Sequence, residues 1–193
     1  HLKAVKLVGW NLQFVPLKFR TYELCEVAVK DWANSFKYVP EELRTKELCK
    51  IAVKNSGFNL RFVPDKFRTK NLCKIAVKNF PYAIQFVPDK FLSRELCKIA
   101  VSEWADNLKY APEKLKTPEL CLEAIKDYGY VLEWVPEDLK TRDLCILAVD
   151  YTGRALEFVP KELKSPELCL MAVFESGSAL EFIPEELKSP ELC

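Results

Sequence analysis

Apolar and polar positions follow one recurring phrase along the chain. Leu48, Cys49, Ala52 and Val53 stand at the spacing that gathers four side chains on one face of an α-helix, with Lys50 and Lys54 interleaved. Leu60 and Phe62 form a second, shorter apolar group that runs into Val63-Pro64. The phrase then begins again. Cysteine stands at 25, 49, 73, 97, 121, 145, 169 and 193, with every interval 24, and proline keeps step at 16, 40, 64, 88, 112, 136, 160 and 184. Self-similarity at a fixed period of roughly 20 to 50 residues marks a stacked-repeat architecture, in which each unit buries its apolar face against the next.

Within one period the local signals are consistent. Thr45 precedes Lys46-Glu47-Leu48 as an N-cap, its hydroxyl placed to accept from an orphan N–H, with an acid in the first turn to suit the helix dipole. Pro118, Pro166 and Pro190 follow the equivalent cap directly, where proline fits without cost. Gly57, Gly129, Gly153 and Gly177 are expected to end this helix as left-handed C′ residues, with Asn34 or Asp106 in that role where Ala33 and Ala105 replace glycine. The Val-Pro step must break the second element, and Pro-Glu-x-Leu starts a new helical turn. No segment shows sustained two-residue alternation. The expected fold is all-α: an α-solenoid of eight 24-residue repeats, each a longer α-helix plus a short α or 3₁₀ segment ending at Val-Pro. The whole of 1–193 reads as one array with cysteine-to-leucine units 1–24, 25–48, 49–72, 73–96, 97–120, 121–144, 145–168 and 169–192. His1 replaces the first cysteine, and both ends are expected to be cut within a repeat.

Composition narrows the class. Apolar residues make up 49% and charged residues 30%, the balance of a folded chain rather than a disordered one. Uninterrupted apolar stretches are too short to span a bilayer, and no signal peptide is visible, so no membrane partner is expected. The cysteines invite a disulfide or metal reading, and geometry opposes both. Equivalent residues of neighbouring layers stand roughly 9 Å apart, whereas a disulfide needs Cα atoms within about 7 Å. No C-x-x-C occurs and the sole histidine is His1, so no zinc ligand set converges. Cys25, Cys49, Cys73, Cys97, Cys121, Cys145 and Cys169 are therefore expected as small buried core residues, without metal or cofactor. Free thiols in that number point to a reducing, cytoplasmic compartment.

The strings Ala124 through Cys145 and Ala148 through Cys169, of the form A-V/I-x-x-x-G-x-x-L-x-x-V-P-E-x-L-K-x-x-E-L-C, resemble the family known as domain of unknown function 4116. The resemblance covers essentially the whole chain. It implies tandem arrays, often beside other domains in bacterial or large DNA-viral proteins, with no assigned activity and no catalytic residues to transfer. Leucine-rich variant repeats, which alternate α with 3₁₀ helices, are a more distant analogue. Ala33, Pro81 and Ala105 depart from the pattern at the glycine place.

In a repeat array the constant columns build the core, and function belongs to the columns that vary. The residue before each aromatic reads Gln13, Lys37, Arg61, Gln85, Lys109, then Glu133, Glu157 and Glu181. The residue after each cysteine reads Glu26, Lys50, Lys74 and Lys98, then Leu122, Ile146 and Leu170; four residues on stand Lys30, Lys54, Lys78, Ser102, Lys126, Asp150 and Phe174. Residues 1–97 hold 18 Lys and Arg against 9 Asp and Glu, and residues 98–193 hold 11 against 19, so the net charge of +1 hides a basic half and an acidic half. Three candidate surfaces emerge. Lys37, Lys50, Lys54, Arg61, Lys74, Lys78, Lys98 and Lys109 form a basic face; Glu133, Glu157 and Glu181 form an acidic one; Leu122, Ile146, Leu170 and Phe174 form an apolar ladder for a partner. Trp10, Trp32, Phe58, Phe80, Tyr82, Trp104, Tyr128 and Tyr130 flank the glycine place, either as anchors or as closures against the neighbouring repeat.

A general base is wanting, and no Gly-rich phosphate loop exists among 5 glycines, so an enzyme is not expected. The leading expectation is a scaffold for a protein partner or for other domains of the same parent chain. Alternatives are a structural spacer and head-to-tail self-association of basic and acidic ends. Nucleic-acid binding by the basic half ranks lower, since the acidic half repels phosphate.

Overall fold

The computed structural model describes Val5 and residues 8–188; His1, Pro190 and Cys193 lie outside the described residues. Seven ten-residue α-helices recur in register: α1 (Tyr22–Asp31), α2 (Lys46–Asn55), α3 (Lys70–Asn79), α4 (Arg94–Glu103), α5 (Pro118–Asp127), α6 (Arg142–Tyr151) and α7 (Pro166–Glu175). Each is followed by a six-residue 3₁₀ segment, such as Gly57–Phe62 after α2, and a three-residue 3₁₀ turn, such as Asp65–Phe67. No strand occurs among the described residues. The all-α, tandem-repeat class expected from the periodicity is the observed one.

The caps form as the sequence requires. Hydroxyls of Thr21, Thr45, Thr69, Ser93, Thr117, Thr141 and Ser165 accept from the N–H of the leucine three residues on, at 3.2 to 3.4 Å. Pro118 and Pro166 open α5 and α7. The helix exit differs from expectation. No described residue has positive φ, glycine or otherwise, so Gly57, Gly129, Gly153, Gly177, Asn34 and Asp106 are not left-handed caps. One extended residue ends the helix instead: Ser56, at φ −155 and ψ 112, donates its N–H to Ala52 O at 3.0 Å. That bond serves a terminal carbonyl without a chain reversal, and Gly57 starts the 3₁₀ segment.

Glycine is needed there for another reason. A Cβ on Gly57 would lie 2.2 Å from the Ala76 carbonyl oxygen in the next helix; on Gly129 it would lie 2.1 Å from Ala148 O, and on Gly153 2.4 Å from Ala172 O. The small pair Gly and Ala lets the 3₁₀ segment of one repeat press its backbone onto the α-helix of the following one.

The chain divides into two compact units, His1–Ile99 and Ala100–Cys193. In each unit, consecutive α-helices pack side by side as one layer and the six-residue 3₁₀ segments as another, each segment meeting its own helix and the next. The core lies between these layers. In the first unit Leu48, Cys49, Ala52 and Val53 of α2 are wholly buried, with Leu60 from the 3₁₀ side. In the second, Cys145, Ala148, Val149 and Leu156 repeat the arrangement. Burying a leucine side chain contributes about 1.5–3 kcal/mol, so the repeated positions supply the drive to stack.

Candidate binding surfaces

The core face of each helix fixes its outer face. At 100° per residue, the buried positions of α5 to α7 leave the residue after the cysteine, and the residue four beyond it, turned away from the 3₁₀ layer. In the second unit these positions carry Leu122, Ile146, Leu170 and Phe174, exposed by 38%, 37%, 53% and 87%. The structure therefore brings the apolar ladder onto one side of the α layer, one rung per helix for the first three and Phe174 a turn beyond Leu170.

Grooves run between the rungs. One of about 400 Å³ lies between α5 and α6, lined by Leu122, Leu139, Leu144 and Leu147 with Asp138 and Asp143 at its edge. Its counterpart between α6 and α7, about 120 Å³, is lined by Ile146, Leu163, Leu168 and Met171 with Arg142 and Glu167. The first unit has the same groove between α2 and α3, about 230 Å³, where Lys46 and Lys50 stand in place of Pro118 and Leu122, and Asn71 in place of Asp143, beside Phe67 and Ile75. One backbone feature thus recurs with two chemistries.

The eight basic candidates do not form one face. Lys50, Lys54, Lys74, Lys78 and Lys98 sit on the outer α layer of the first unit; Lys74 is paired with Glu95 at 2.6 Å. Lys37, Arg61 and Lys109 belong to 3₁₀ segments, with their charges held over aromatic rings. Arg61 lies 4.9 Å from Phe58, 5.0 Å from Phe62 and 5.6 Å from Phe86, a cation shared among three rings of two repeats. In the second unit Lys109 lies 5.1 Å from Tyr110 and 5.2 Å from Trp134. Glu133, Glu157 and Glu181 are exposed on the 3₁₀ layer of that unit; Glu157 accepts from Tyr130 at 3.5 Å and Glu181 pairs with Arg154 at 3.4 Å.

The aromatics beside the glycine place divide between the two readings. Phe58 meets Phe80 at 5.9 Å and Phe86 at 6.1 Å, and Tyr130 meets Phe158 at 4.8 Å, so these rings close one repeat on the next. Trp10, Trp32, Trp104 and Tyr128 remain more than a third exposed.

A column to which the pattern alone assigns no role joins neighbours instead. Arg44 Nη1 donates to Phe62 O at 3.0 Å, 18 residues on, and its Nε donates to Val39 O at 3.0 Å. Arg20 and Arg68 repeat the reach to Tyr38 O and Phe86 O. In the second unit lysine does the same: Lys116 Nζ to Trp134 O at 2.7 Å, Lys140 to Phe158 O at 3.1 Å, Lys164 to Phe182 O at 3.0 Å. These cations cap the C-terminal carbonyls of the adjacent 3₁₀ helix, where the dipole favours positive charge. Leu92 holds this place in the fourth repeat.

The seven described cysteines are buried and unpaired, as core residues. Burial pushes the thiols of Cys25, Cys49, Cys73, Cys97, Cys121 and Cys145 up to about 11, and raises that of Cys169 too. They are neutral and poor nucleophiles near neutral pH. Among the described residues no helix is long and apolar enough to cross a membrane.

The sequence model of the family described as Domain of unknown function (DUF4116) matches residues 2–44, 45–92, 93–140 and 141–188. The latter three matches each cover two 24-residue repeats, opening on an N-cap residue (Thr45, Ser93, Thr141) and closing on the carbonyl-capping column or on Leu92 within it. No curated protein matches the chain.

Proposed function

The chain belongs to the DUF4116 family, and from that premise we propose that it is a non-catalytic repeat scaffold that binds a protein partner through the outer α layer of its second unit. One observation carries this reading: Leu122, Ile146 and Leu170 stand exposed on successive helices, beside grooves lined by further apolar side chains. Scattered exposed apolar residues are ordinary, but an aligned row beside grooves is the form of a contact surface. The same column in the first unit carries Glu26, Lys50, Lys74 and Lys98, so the repeat itself does not demand apolar residues there. Core packing therefore does not account for the ladder. The partner is a separate protein or another domain of the parent chain, and the buried neutral thiols fit a reducing compartment.

A second reading, self-association of the basic unit with the acidic one, is favoured by the split of charge at mid-chain. Affinity capture from native lysate at two salt concentrations separates the readings. The bait is the full chain or its L122E/I146E/L170E variant, each first confirmed folded by circular dichroism. A protein captured by the former and lost from the latter supports the scaffold. Identical captures by both baits overturn it, and recovery of the chain alone transfers the surface to self-association.

A further inference from the structure

The ladder does not stand on neutral ground. One turn toward the helix N-termini lie Glu119, Asp143 and Glu167; one turn the other way lie Lys126, Asp150 and Phe174. All six are exposed, and Asp143 and Asp150 take part in no ion pair with any described residue. Lys126 and Arg142 are the basic residues of this face. An apolar row about one side chain wide is thus bordered by acid along its N-terminal side, with Asp150 standing between Lys126 and Phe174 on the other. Helical turns are about 5.4 Å apart, so the N-terminal acids and Asp150 lie within reach of long basic side chains on a segment seated over the row.

The spacing of the rungs adds a second constraint. Packed helices lie about 8–10 Å apart, and two turns of a helix laid across them advance about 10.5 Å. An amphipathic helix with apolar residues at i, i+3, i+4 and i+7 therefore presents one apolar group per rung, while one flank faces the acidic border and the other faces Asp150. An extended segment would turn alternate side chains away from the ladder.

Building on the scaffold reading, we infer that the occupant of this surface is a basic amphipathic helix, its apolar stripe on Leu122, Ile146 and Leu170 and its Lys or Arg flanks against Asp143, Asp150 and Glu167. Charge complementarity selects the sign of the partner, and the grooves on either side of Ile146 receive its larger apolar side chains.

The test uses the full chain and three labelled peptides of about three heptads each: a Leu/Lys amphipathic helix, its Leu/Glu counterpart, and a Leu/Lys peptide of the same composition with leucines dispersed around the helix. Binding is read by fluorescence anisotropy against the native chain, L122S/I146S/L170S and D143K/D150K/E167K, with circular dichroism confirming that each variant folds. The expected result is binding of the first peptide at least about tenfold tighter than the other two, a similar loss in the serine variant, and a reversed preference for Leu/Glu in the lysine variant. Equal binding of Leu/Lys and Leu/Glu peptides, both lost in the serine variant, overturns the basic partner while leaving the docking surface standing. Failure of every peptide overturns the inference, and the ladder-dependent capture experiment then decides the scaffold reading separately. Self-association of the chain that the serine variant abolishes and the Leu/Lys peptide does not compete with makes the occupant a second copy, which also overturns it.

Discussion

Replacing Gly129 by alanine isolates the close approach of one repeat to the next. The added methyl would lie 2.1 Å from the Ala148 carbonyl oxygen, with Ala148 C at 3.0 Å and Thr152 Cβ at 3.1 Å, so backbone rather than a yielding side chain must move. Forcing an extra group into a packed contact costs about 1–3 kcal/mol. Ala33 and Ala105 occupy the same place in other repeats, so a layer spacing that admits a methyl exists in this fold. The penalty is that of shifting from one spacing to the other, which places it in that range rather than above it. Gly177 is the control: among the described residues a Cβ there meets nothing within 4 Å, and its φ is not positive. Alanine at 177 should therefore stabilise by about 0.4–1 kcal/mol, because it narrows the unfolded ensemble without cost to the folded state. Urea unfolding followed by far-UV circular dichroism should move the midpoint of Gly129→Ala down and leave that of Gly177→Ala unchanged or higher. Equal downward shifts in the two variants would refute the close-approach explanation and return glycine's role to its backbone conformation.

Lys140→Met should destabilise the second unit by about 1.5–3 kcal/mol, since it strips Phe158 O of a charged donor, whereas Lys140→Arg should stay near the native midpoint, as Arg44 fills the same place. Thr141→Ala removes the hydroxyl that accepts from Leu144 N–H at 3.3 Å and should cost about 1 kcal/mol in the same assay. A thiol reagent at neutral pH should leave Cys25, Cys49, Cys73, Cys97, Cys121, Cys145 and Cys169 unmodified in the native chain and label them after denaturant, as scored by intact mass. Because folding raises the thiols of Cys25, Cys49, Cys73, Cys97, Cys121 and Cys145 from an ordinary value near 9 to about 11, their contribution to stability is complete below pH 9 and is lost as pH climbs toward 11. Unfolding midpoints that stay flat across that window would contradict the burial-driven shift.

The helices, caps and core were legible because each rests on a short-range rule repeated at fixed spacing: Thr45 before Lys46-Glu47-Leu48, and Leu48, Cys49, Ala52 and Val53 on one face. The glycine place was legible as a constraint but not as the right one. A residue just past a helix looks the same in sequence whether it must turn left-handed or admit a neighbour's carbonyl, and that carbonyl, Ala76 O for Gly57, lies 19 residues away. The capping cations escaped for a related reason. Their acceptors are backbone oxygens of Phe62, Trp134 or Phe158, and any side chain at those positions would offer the same atom. The basic candidates were visible as charges, but their division into layers was not. Lys37 and Arg61 are set apart from Lys50 and Lys54 only once the 3₁₀ segments are seen as a layer of their own.

The carbonyl capping and the Gly–Ala approach each tie a repeat to the one beside it, and this gives the fold a mechanical character. Within each unit, tension along the chain would pass from repeat to repeat in series, as in a row of hooks. A terminal repeat that lets go releases 24 residues of chain, roughly 70–78 Å of extended length beyond its one layer of folded height. The neighbour it leaves keeps its own caps and core face. Under load such an array should lengthen in steps of one repeat, which single-molecule force extension would read as a uniform step length.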